Sequence, residues 1–63
     1  MSKNNIEKYV FQADGTQVRI SYVAERGGVE VVNANGDTVR ERDCANAREA
    51  KKIISGLISE LRE

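Results

Sequence analysis

Catalysis needs acids, bases, nucleophiles or metal ligands, and this sequence holds few of them in usable order. It has no histidine, so the commonest acid–base group is missing. Its one cysteine, Cys44, comes just before a helical segment, where the positive end of a helix would lower a thiol pKa. With no base beside it, the plainer reading is a small, partly buried residue in a connection. One thiol without histidine makes a zinc site unexpected, and it excludes a disulfide within the chain. The carboxylates are scattered: Asp14 and Asp37 fall in turns, and Glu7 and Glu41 fall near strand ends on the face expected under the helix. No spacing forces two of them together. The glycines at Asp14-Gly15, Gly27-Gly28 and Asn35-Gly36 are turn residues, because no phosphate-loop or dinucleotide spacing surrounds them. No catalytic residue, metal or cofactor is expected. The residues predict a binding protein and not an enzyme.

The elements that must position any binding surface follow from those turns. Asp14-Gly15 is a strong hairpin signal, and Gly27-Gly28 and Asn35-Gly36 mark two further turns. Between them lie β-rich segments at about 6–12, 17–24, 29–33 and 38–42. Asn46, with Glu49 three residues on, has the form of a capping box. After it, Ala47, Ala50, Ile53, Ile54, Leu57, Ile58 and Leu61 recur at helical spacing over an arc of roughly 140°. This predicts a helix over about 47–62, lying on a sheet. Gly56 interrupts that helix near its polar side, at about 1 kcal/mol against Ala. The fold class expected is α+β, one small domain over 1–63, with a four-stranded antiparallel meander and one C-terminal helix.

Burial can be used to choose the strand register, because a one-residue slip exchanges the two faces of a strand. A two-residue turn at Asp14-Gly15 sets Phe11 opposite Val18, Tyr9 opposite Ile20 and Glu7 opposite Tyr22. A loop over 25–28 sets Ala24 opposite Val29 and Tyr22 opposite Val31. A loop of Ala34-Asn35-Gly36, with Gly36 left-handed, sets Val31 opposite Val39 instead of Arg40. The face under the helix then carries Tyr9, Phe11, Val18, Ile20, Tyr22, Ala24, Val29, Val31 and Val39.

The opposite face has nothing left in the chain to cover it, and it is the expected working surface. It would carry Ile6, Lys8, Val10, Arg19, Val23, Val32, Arg40 and Arg42, with Glu30 as the one acid and opposite Arg40. Exposed β-branched residues among arginines suit a protein interface. Arginines on a sheet also suit phosphates, but with every aromatic inward this face offers no stacking platform. Ten basic and ten acidic residues cancel, so no global field draws the chain to nucleic acid or an anionic membrane. A basic helix stripe of Arg48, Lys51, Lys52 and Arg62 is the alternative contact surface.

No segment approaches the roughly 20 apolar residues of a membrane span. The N-terminus, Met1–Asn5, lacks the apolar core of a signal peptide. With a single free thiol, these point to the cytoplasm. A domain of this length buries only about 60% of its unfolded surface, which favours self-association.

The run Val31-Val32-Asn33-Ala34-Asn35-Gly36-Asp37-Thr38-Val39, followed by a short connection and the helix start Ala47–Ala50, resembles the small YegP-like modules. Those also run strand, Asn-Gly turn, strand, loop, helix. The resemblance covers roughly half the chain and implies the fold without transferring a site. The longer charged second hairpin and the single copy depart from that family's frequent tandem pattern. The element order is also similar to coactivator-type single-strand binders with a ββββα repeat, although no motif is shared. The expected function is a protein-interaction, inhibitor or regulatory module, with itself or another protein as partner. A nucleic-acid binder is the alternative.

Overall fold

A computed structural model describes residues 5–63. Four strands, β1 (Ile6–Phe11), β2 (Gln17–Val23), β3 (Gly28–Val32) and β4 (Thr38–Asp43), precede one helix, α1 (Ala47–Leu61). The strands form one antiparallel sheet in the order β1-β2-β3-β4. This is the expected ββββα fold, an α+β meander. The helix packs across β1, β2 and β3, whereas every residue of β4 is exposed. Among the described residues, no helix is long and apolar enough to cross a membrane. The polar N-terminus read as lacking a leader lies, except for Asn5, outside the described residues.

Two of the three turns are built alike. Gln12 N–H donates to Thr16 O at 2.8 Å and Gly15 N–H to Gln12 O at 3.0 Å. Asn33 N–H donates to Asp37 O at 2.9 Å and Gly36 N–H to Asn33 O at 3.0 Å. Each pair encloses three residues, Ala13-Asp14-Gly15 and Ala34-Asn35-Gly36, ending in a left-handed glycine (φ 91° and 90°), a conformation open to Gly at little cost. The second is the loop expected from the sequence. The first is one residue longer than expected, and that residue moves β1 by one position: Val10 pairs with Val18 and Ile6 with Tyr22. Turn geometry sets hairpin register, and here it overrides the gain from burying the two largest apolar side chains of β1. Tyr9 and Phe11 therefore face outward, 59% and 61% exposed. Val10 enters the core, and Ile6 packs against it.

The middle loop spans residues 24–27, one residue earlier than expected, closed by Gly27 N–H to Val23 O at 3.1 Å. Tyr22 consequently pairs with Val29 and Ile20 with Val31. This two-residue slip preserves the faces, except that Ala24 lies in the loop and is exposed.

In the last hairpin Val32 pairs with Thr38, but Val31 pairs with Arg40. Val39 is the extra residue of a bulge and is 38% exposed, not buried. Beyond the bulge the faces of β4 are exchanged relative to the expected register.

The core is then Val10, Val18, Ile20, Tyr22, Val29 and Val31 from the sheet against Ala50, Ile54, Leu57 and Leu61 from the helix. Each valine, isoleucine or leucine among them contributes about 1.5–3 kcal/mol when fully buried. The helix starts at Asn46, whose Oδ1 accepts from Glu49 N–H at 2.9 Å. The reciprocal half of the box is shifted, because Glu49 Oε1 accepts from Ala45 N–H. At the other end, Ala13 N–H donates to Leu61 O at 3.0 Å, which ties the first turn to the helix terminus.

Candidate functional site

On the sheet face away from the helix, each strand presents alternate residues. One cross-strand row reads Tyr9, Arg19, Val32, Thr38, and the next reads Glu7, Ser21, Glu30, Glu41. Phe11 and Gln17 form a pair beyond the first row, and Val23, Gly28 and Asp43 continue beyond the second. The face is thus divided. The β1–β2 turn end is aromatic and apolar, with one cation, Arg19. It includes a shallow groove of about 300 Å³ lined by Tyr9, Arg19 and Val32 among others. The other end is acidic.

Within the acidic end, Arg26 binds Glu30 at 3.1 Å, but Glu41 stands directly opposite Glu30. Tyr9 donates its phenolic O–H to Glu7 Oε2 at 2.8 Å, linking the two rows. Glu7, Glu30, Glu41 and Asp43 outnumber Arg19 and Arg26, so the open face is negative.

Arg19, Val23 and Val32 lie where expected. Five other candidates do not. Ile6, Lys8 and Val10 point to the helix side because the first turn is longer. Arg40 and Arg42 do so because of the bulge at Val39. Glu60 meets both arginines, Arg40 Nε at 3.3 Å and Arg42 Nη2 at 3.6 Å. Conversely Glu7 and Glu41, expected under the helix, lie on the open face. The expected Glu30–Arg40 pair is replaced by Glu30 against Glu41. A basic sheet face is therefore corrected to an acidic one with an aromatic end.

The helix stripe residues Arg48, Lys51, Lys52 and Arg62 are all exposed. Lys51 shares a groove of about 250 Å³ with Lys8, lined otherwise by Ile6, Ile54, Ser55 and Ile58. Sequence reasoning missed this juxtaposition, the exposed Tyr9–Phe11 pair and the carboxylate row. The signal that could have found the first two, and Glu7 in the row, is the repeated Ala-Asx-Gly tripeptide, which predicts two loops of equal length and with them the parity of β1; Glu41 joins the row only through the Val39 bulge.

Cys44 is free and half-buried. Burial raises its thiol pKa, and the charges of Glu49 and Asp43 raise it further. This is opposite to the lowering that the helix start could have supplied. Among the described residues, no three Cys, Asp or Glu residues gather as metal ligands. No family model matches the chain, and no curated protein or solved structure matches it either.

Proposed function

We propose that the chain is a non-catalytic protein-interaction module that self-associates through the aromatic end of its open sheet face and acts as a regulator or inhibitor. The observation that carries this is the exposure of Tyr9 and Phe11, side by side on one strand face, next to Arg19 and Val32. Two of the three aromatic residues of the chain stand in water, 59% and 61% exposed. Tyr, Phe and Arg are the residue types enriched at the centre of protein interfaces. An isologous pair brings the same patch of both copies together. Only the aromatic end suits that contact. Full overlap would bury the carboxylates of both copies against too few arginines, and unpaired buried charge is costly. The lone free thiol fits a reducing, cytoplasmic setting.

The test is light-scattering mass on a sizing column up to the highest soluble concentration, for the parent and Phe11→Glu. A parent dimer that becomes a monomer in the variant, with unchanged circular dichroism, supports the reading. A parent that stays monomeric throughout overturns it.

One observation favours a second reading. Tyr9 and Phe11, which the sequence alone had placed inward, stand with Arg19 in a group that resembles the stacking platform of single-strand binders. The carboxylate row and the departure of Arg40 and Arg42 from this face count against it. Adding a mixed oligonucleotide to the same column decides the matter. A salt-sensitive shift that Phe11→Glu abolishes would replace the first reading by the second.

A further inference from the structure

We infer that the outer edge of β1, with the slot between it and the helix, takes up an extended acidic segment of a partner protein as a fifth strand. Three independent features converge there. The first is a free main-chain edge. Among the described residues, β1 pairs only with β2. Gln12 N–H is engaged inward with Thr16, and antiparallel pairing alternates residue by residue. Glu7, Tyr9 and Phe11 therefore direct their N–H and C=O groups away from the sheet. A partner strand finds there the donors and acceptors that strand addition uses.

The second feature is a place for its side chains. The groove lined by Ile6, Lys8, Lys51, Ile54, Ser55 and Ile58 draws only on β1 and the helix, so it opens along this edge. Ile6, Ile58 and Ile54 give it an apolar wall. Alternate residues of an added strand point to the helix side and would enter it.

The third feature is charge. Lys8 and Lys51 are both exposed, and no carboxylate lines the groove. In a molecule of zero net charge this is a local positive site. It matches a strand whose helix-facing positions alternate apolar and acidic residues. The same lysines argue against a second copy in this place. Pairing β1 with itself would gather Lys8 and Lys51 of both copies along one seam without a counter-charge, and an edge lysine is a common guard against such pairing.

The probe is a fluorescein-labelled peptide of about eight residues, long enough to match β1, with Val and Glu alternating on one face and Thr on the other. Anisotropy at low salt should show saturable binding to the full chain. Amide spectra should place the largest shifts at Glu7, Tyr9 and Phe11. Lys8→Glu combined with Lys51→Glu should weaken binding by about tenfold or more, and a peptide carrying Lys for Glu should regain it on that variant. Both lysines are exposed, so circular dichroism of the variant should match the parent, and its light-scattering mass should equal the parent's. That separates this site from the open-face contact. No binding, binding indifferent to the charge reversal, or shifts on β4 would overturn the inference. So would peptide-free protection of the β1 edge amides that rises with protein concentration, which would assign the edge to a second copy.

Discussion

β1 and β4 each run six residues along an edge of the same sheet, yet they are built for opposite ends. β1 lies beside the helix, sends Val10 into the core and keeps a regular outer edge. β4 extends past the helix, is exposed at every position, carries four charges in its six residues and bends at the Val39 bulge. Charge and bulges are ways in which sheets blunt an edge. The difference teaches that open edges in a small sheet are not equivalent. The edge that contributes to the core must stay regular, and regularity leaves it able to accept a partner.

The largest test of this contrast is one substitution placed on each edge. Val10→Asp puts a carboxylate into a site 8% exposed, at a cost above about 3 kcal/mol. A domain of this size has on the order of 3–5 kcal/mol in total, so the variant should be largely unfolded by circular dichroism. Val39→Asp, at the bulge, should change the unfolding free energy from urea titration by less than about 0.5 kcal/mol. Equal losses at the two sites would mean that β4 is part of the core after all.

The fold that carries this contrast was legible in the sequence, but the faces of its two edge strands were not, for a physical reason. The element order, the meander, the helix and its Asn46 cap follow from turn residues and periodicity, which are local. Register depends on loop length, and there the burial of Tyr9 and Phe11 was a poor guide, since the Ala13-Asp14-Gly15 loop fixed β1 in the other parity. The Val39 bulge is a property of two strands together, and no single-strand pattern announces it. Those two one-residue events relocated Lys8, Arg40 and Arg42, and with them the expected basic face. Arg19, Val23 and Val32, on strands whose parity was right, were placed correctly.

The next test concerns the acid left unbalanced on β4. Glu41 faces Glu30 across the β3–β4 pair, and like charges directly opposite destabilise a sheet. Glu41→Lys should raise stability by about 0.2–1 kcal/mol in urea unfolding at low salt, with the gain shrinking as salt is added. A loss would show that Arg26 already neutralises Glu30 and that Glu41 has another role. Smaller again is the tie from β4 to the helix. Glu60 and its arginines are each more than 40% exposed, so Glu60→Gln should cost less than about 1 kcal/mol. A larger loss would make the β4 overhang an integral part of the fold.

The finest difference between the two edges lies in their turns. In the β1–β2 turn, the Asp14 carboxylate accepts from the Thr16 hydroxyl at 2.6 Å and the Thr16 amide at 2.9 Å. In the β3–β4 turn, a neutral amide oxygen, Asn33 Oδ1, accepts from the Asn35 and Asp37 amides. The Thr16 hydroxyl, then its amide, hold the Asp14 carboxyl below its ordinary value of 3.8. A carboxylate whose folded pKa is lowered adds stability that is complete above the unfolded pKa and lost as pH falls through the folded one. Acid should therefore loosen the β1 turn and leave its β4 counterpart intact. Amide exchange at Thr16 should speed up, relative to Asn35 and Asp37, as pH falls below the ordinary carboxylate range, and Asp14→Asn should abolish that difference. Parallel behaviour of the two turns would show that acid acts on the sheet as a whole, because only one of them contains a group that acid can discharge at the bond itself.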